Sequence, residues 1–209
     1  MTTQKRPGRQ ERPGTRERPG TRERLVRSTQ ELLWERGYVG TSPKAILERA
    51  DVGQGSMYHH FTGKSDLALA AIRRTAQDMT ETAEECLTAP GTAYERIAAY
   101  LLRERQVLRG CPIGRMTQDR DVVHSPVLRE PLDEMFGWLR GRIAEVLAEG
   151  QRRGELAAGL DPVAGAATVA AVVQGGYVLA RAADDTAPFD AAVQGVLALL
   201  AAQVTPTAD

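Results

Sequence analysis

The chain has 209 residues, 27 lysines and arginines against 27 carboxylates, and 42% apolar residues of which few are aromatic. That length supports one compact unit or two small ones, and the Ala-, Leu-, Glu- and Arg-rich composition favours helices over strands. No apolar run reaches the roughly 18–20 residues of a membrane span, no apolar stretch follows the basic start as in a signal peptide, and Cys86 and Cys111 are too far apart to suggest a disulfide framework or a CxxC site; a reducing cytoplasm is therefore expected.

Charge is unevenly placed. Residues 1–66 hold 13 lysines and arginines against 8 carboxylates, a net of +5, and residues 67–209 hold 14 against 19, a net of −5. Residues 1–20 are Pro, Gly, Thr and Arg, with ERPGTR repeated at 11–16 and 17–22, and bury nothing. They read as a disordered basic arm or as a neutral duplication. Thr21 is then placed to cap a first helix whose apolar side is Leu25, Val26, Leu32 and Leu33. Gly37 ends that helix, with Tyr38 folding back on its last turn. Ser42 and Pro43 form a cap and first-turn pair for a second helix reaching about Ala50. After the Asp51-Val52-Gly53 turn, a short third helix covers about Gln54–His60, and a fourth runs from Lys64 toward Leu87.

Beyond the Ala89-Pro90-Gly91 break, helices are expected over about 92–108, 113–122, 126–153, 161–183 and 188–204, with a clear apolar stripe from Leu128 to Leu147 in the longest. The fold class is all-α with about nine helices: a basic arm over 1–20, a three-helix unit over 21–67 and a helical unit over 68–204.

The segment 41–64 carries the function. Two helices joined by about three residues make the helix-turn-helix layout, whose second helix lies in a major groove. Met57 and Phe61 can bury with Ile46, so Gln54, Ser56, Tyr58 and His59 face outward, and Gly55 permits close backbone approach. Thr41, Ser42 and Lys44 open the second helix, where amides and a cation can meet phosphate, and Lys64 opens the fourth in the same way. Adjacent His59 and His60 point in different directions and have no acidic or cysteine cluster beside them, which argues against a metal site. No Ser/His/Asp order, phosphate-binding loop, GxGxxG or zinc spacing suggests an enzyme or a cofactor.

These residues resemble the DNA-binding domain of the TetR family of repressors. The carriers are Arg36-Gly37-Tyr38, Thr41-Ser42, Ile46, Ala50, Val52, the run Gly55 to Phe61, and Lys64-Ser65-Asp66-Leu67. The chain departs from the family pattern at Gly53-Gln54, where a serine and a phosphate-contacting lysine are usual, and at Pro43. The resemblance implies that the rest forms a dimerising, effector-binding domain. Arg109 to Gly114 and Gln174 to Tyr177 are similar to the LmrA/YxaF-like subgroup, which implies aromatic natural products or drugs as effectors. The reading is thus a regulator that binds a pseudopalindromic DNA operator as a homodimer, through helices 161–183 and 188–204, and is released by a small, mostly apolar effector. Met116, Met135, Phe136, Trp138, Gln174 and Tyr177 are the candidate effector contacts, in a pocket between the fourth helix and helices 92–108, 128–153 and 161–183. Cys111 in its Gly-Cys-Pro turn reads as a packed residue before a redox sensor. A small-molecule-binding module without specific DNA contacts, or an activator, are the alternatives; binding to the chain's own upstream DNA separates the first from a regulator.

Overall fold

The computed structural model describes residues 20–206, so the expected arm lies, but for Gly20, outside the described residues. Ten α-helices follow in order: α1 Thr21–Arg36, α2 Pro43–Ala50, α3 Gln54–His60, α4 Lys64–Leu87, α5 Ala93–Leu102, α6 Pro112–Met116, α7 Arg120–His124, α8 Pro126–Arg152, α9 Pro162–Ala183 and α10 Ala187–Ala201. An isolated bridge between Leu156 and Val204 is the extended pairing found among the described residues.

Local chemistry explains most boundaries. Ser42 Oγ accepts from the Ala45 amide and Pro43 occupies the first turn of α2, where a missing N–H costs nothing. Thr92 and Glu95 form a reciprocal capping box for α5, and Asp161 caps α9 ahead of Pro162. Gly37 closes α1 at φ 74°, and a side chain there would meet the Asp119 carboxylate at 3.1 Å. Both the left-handed backbone and the close approach call for glycine.

Three expectations are corrected. Thr21 lies inside α1, whose N-cap is Gly20 without a side-chain bond. The helix expected over 92–108 ends at Leu102, because the Arg105 guanidinium turns back to bond the carbonyls of Tyr100, Leu101 and Arg103; a 3-10 turn, Val107–Arg109, follows. The helix expected over 113–122 divides into α6 and α7, because Asp119 caps the Asp121 amide and starts a new helix.

α4 joins the two halves. It packs on α1 at one end and on α5 and α8 at the other, so the boundary expected at 67/68 falls within one continuous helix. A single apolar core runs from Leu25 through Ile46, Leu67 and Ile72 to Ile97, Leu128, Ile143 and Val169. α9 packs between α8 and α10. By length and composition alone α9 is apolar enough to cross a membrane, at mean hydropathy 1.6, contrary to the sequence expectation. Its alanines, glycines and valines raise hydropathy without bulky side chains, and it is one layer of the helical stack. Only 39% of that window is buried, which leaves an apolar face uncovered.

Candidate nucleic-acid interface and effector cleft

α3 is held from behind. Met57 and Ile46 are fully buried and Phe61 nearly so. Burying such side chains stabilises by about 1.5–3 kcal/mol each, which fixes the rotation of a helix only seven residues long. The remaining positions then face outward: Gln54, Gly55, Tyr58 and His59 are exposed and Ser56 is half-buried. Tyr58 is 56% exposed, and no hydrogen bond or aromatic contact of its side chain is found among the described residues. At Gly55 a Cβ would meet nothing within 4 Å, and the backbone φ is ordinary. The fold itself therefore does not require glycine there.

Around α3 lie the positions that can meet a phosphate backbone. Ser42 is exposed at the start of α2. Lys44 is almost fully exposed, and its 3.8 Å pair with Glu48 is solvent-bathed, so it holds the lysine only weakly. Lys64 sits 4.0 Å above the Tyr38 ring. Burial pushes its ammonium pKa down while Asp119 and Asp121 oppose the shift. Sequence reasoning missed this Tyr38 platform, and likewise Arg22 stacked on Phe61 at 5.4 Å. Thr41 is the correction here. It is 1% exposed, and its hydroxyl donates to the Gly37 carbonyl at 2.7 Å; it braces the α1–α2 turn and has no free face toward DNA.

In the second half, a cleft of about 730 Å³ opens between the 110–118 segment, α8 and α9. Of the expected effector contacts, Phe136, Gln174 and Tyr177 line it. Met116 and Met135 do not: both are buried in the core. Trp138 does not either, and lies half-buried against the core. The expected walls also change. Residues of α8 and α9 line the cleft as anticipated, but the remaining wall is the 110–118 segment, and neither α4 nor α5 reaches the lining. Nor are the walls nearly free of charge, since Arg115, Arg140 and Arg181 belong to them.

Burial pushes the Tyr177 phenol up to about 12, so it stays a neutral hydrogen-bonding group. Burial likewise pushes the Cys111 thiol up, and its sulfur accepts from the Gly114 amide at 3.2 Å as the cap of α6. A protonated, 5% exposed thiol is the packed residue expected from the sequence rather than a reactive thiolate.

The cleft segment also grips the reading head. The Trp34 indole N–H of α1 donates to the Gly110 carbonyl at 3.0 Å. Arg109 stacks 3.6 Å above the Trp34 ring and pairs with Glu31 at 2.8 Å. Asp119 Oδ2 accepts from the amides of Tyr38 and Val39 at 2.7 and 3.0 Å. Gly110 is thus both cleft wall and partner of α1.

Comparison with known proteins bears on both halves. Residues 25–71 match the description "Bacterial regulatory proteins, tetR family", and residues 92–196 match "Tetracyclin repressor-like, C-terminal domain". Transcriptional regulator AcuR of Cereibacter sphaeroides is 28% identical over 145 residues, which span 66% of each chain. A TetR transcriptional regulator from Chloroflexus aurantiacus superposes at TM-score 0.80 and 28% identity, covering 88% of this chain and 96% of that one. The regulator CifR, solved as a cysteine mutant on 26 bp double-strand operator DNA, superposes at TM-score 0.72 and 22% identity, covering 91% and 100%; at that identity the likeness is one of fold.

Proposed function

The chain belongs to the tetR family of bacterial regulatory proteins, and from that premise we propose that it is a cytoplasmic homodimeric repressor released from its operator by a small effector. The observation that carries the DNA reading is the division of α3, with Met57 fully buried beneath and Gln54, Tyr58 and His59 exposed above. A short helix with a fixed back and a polar, aromatic front is suited to reading base edges, while Ser42, Lys44 and Lys64 around it are suited to phosphates, which position without specifying. Support for the dimer is the apolar face of α9 and α10, where Val163, Val178, Leu179 and Leu199 are each more than half exposed. A twofold across that face presents the same patch twice, and a dimer that reads two half-sites must hold its two copies of α3 about 34 Å apart.

The test is operator binding by gel shift against the upstream DNA. Tyr58→Ala weakens binding about tenfold or more while the melting temperature changes little, since the ring is mostly exposed and lies outside the core. Gln54→Ala shifts base preference, and Lys44→Ala weakens all sequences alike and lowers the salt slope by about 0.9. Normal operator binding by the Tyr58 variant would remove α3 from the role given to it.

A further inference from the structure

The 730 Å³ cleft has an unusual charge balance. Arg115 at the end of α6, Arg140 on α8 and Arg181 on α9 line it, and no carboxylate does. None of the three makes an ion pair among the described residues. Elsewhere among the described residues some arginines are ion-paired, such as Arg49 with Glu35 and Arg96 with Glu149, and others are not; what sets these three apart is that they line one cleft without a carboxylate. Nor does the imbalance reflect its surroundings, because residues 67–209 carry 14 lysines and arginines against 19 carboxylates. Arg115 Nε is buried without a hydrogen-bond partner, as are those of Arg24, Arg103 and Arg105; such a donor is costly to desolvate until something accepts from it. The other large cleft of the chain, between α1 and α4, shows the contrast: its arginines share the lining with Glu31 and Asp78.

Arg115 is half-buried, Arg140 and Arg181 are exposed, and Arg140 Nε donates to the Phe136 carbonyl at 3.3 Å. Together the three give one cleft positive charge with no carboxylate in its lining, which favours an anionic ligand. The planar fork of arginine matches a carboxylate with two parallel hydrogen bonds. The rest of the lining is apolar or neutral: Phe136, the alanines of α9, and Tyr177, whose phenol burial keeps protonated. We propose that the effector is a small organic acid, with its carboxylate among Arg115, Arg140 and Arg181 and an aromatic or short aliphatic body against Phe136 and Tyr177. The proposal names the ligand class for the effector site given above and rests on that reading. It revises the mostly apolar effector expected from the sequence to one with an anionic head.

Full-length protein is titrated by calorimetry with benzoate and hexanoate, and with the neutral benzamide and hexanamide, each to about 10 mM. The same compounds are tested for release of operator DNA. At least one acid binds, at least tenfold tighter than its amide. Arg140→Gln and Arg181→Gln each weaken that acid about tenfold, as loss of a charge-assisted pair requires, and leave amide binding and helical content as they were. Equal affinity for acid and amide, unchanged acid binding by both variants, or no binding by either acid would each overturn the proposal. Displacement of benzoate by inorganic phosphate of equal affinity would overturn the apolar-body half of it. An acid that binds by these criteria but leaves DNA bound keeps the anion site and overturns the effector reading. Release by the amides at the same concentrations does the reverse.

Discussion

At the residue scale, neighbouring positions on α3 have opposite tasks. Met57 is fully buried and holds the helix down; Tyr58 beside it is 56% exposed and outside the core. Truncating Met57 removes core volume and costs about 2–5 kcal/mol, so loss of DNA binding in that variant would report unfolding. Gly55 gives a cleaner probe. A Cβ there meets only open space within the chain, and alanine is the better helix former by about 0.8–1.0 kcal/mol. Gly55→Ala therefore holds or raises the melting temperature while operator affinity falls about tenfold, because the new methyl group intrudes where DNA backbone or bases must come close. Calorimetric melting and gel shift on one preparation check both halves; a variant that is stable and binds normally removes close approach at Gly55. Thr41 is predicted to behave in the opposite way. With its hydroxyl bonded to Gly37 inside the core, Thr41→Val costs about 1–2 kcal/mol in urea denaturation, and what folds binds DNA as before.

At the element scale, the sequence was most legible where structure is local. The bounds of α2, α3 and α4 agree with the sequence expectation because their signals lie within a few residues of each helix: the Ser42 cap and first-turn Pro43 for α2, and glycines at the N-cap positions of α3 and α4, Gly53 and Gly63. It was least legible between residues 103 and 125, where boundaries are set by partners far along the chain. Arg105 ends α5 by taking its last carbonyls, which no periodicity announces. Asp119 caps α7 with one oxygen and reaches residues 38 and 39, about eighty positions earlier, with the other. The same logic divides the site. The α3 face followed from helical spacing, whereas the cleft needed to know that the 110–118 segment, rather than α4, faces α8 and α9. The Asp119 contact is strong enough to test. Asp119→Ala leaves the Tyr38 and Val39 amides without their acceptor and the α7 N-terminus without its cap, and should cost about 1–3 kcal/mol. The expected result is a lower urea midpoint with an unchanged slope; a midpoint equal to wild type would mean that water replaces the carboxylate without loss.

At the scale of the whole molecule, three connections link the cleft and the segment beside it to the reading head. One is α4, covalent but absent from the cleft lining. The others are non-covalent: the Asp119 carboxylate on the Tyr38 and Val39 amides, and the grip of Gly110 on Trp34, reinforced by Arg109, which stacks on the indole and pairs with Glu31. Arg181 of the cleft packs so close to Gly110 that a side chain there would meet it at 3.2 Å. An anion that draws Arg181 into the cleft therefore acts on the residue whose carbonyl holds α1. An effector can shift the protein between DNA-binding and released arrangements only by as much as it prefers one of them, and the Trp34 bond is a contact that the two arrangements can treat differently. Trp34→Phe keeps an aromatic face for Arg109 to stack on but removes the indole donor. A neutral hydrogen bond of this kind is worth about 0.5–1.5 kcal/mol, or roughly a two- to tenfold change in an equilibrium. The variant is thus expected to fold and to bind operator within that range of wild type. The acid concentration that half-releases the DNA should shift by a few-fold while acid affinity in the absence of DNA stays the same. Fluorescence anisotropy of labelled operator, titrated with benzoate or hexanoate, reads the shift directly. If half-release does not move, the signal leaves the cleft by another route, and α4, which spans both halves, becomes the element to vary.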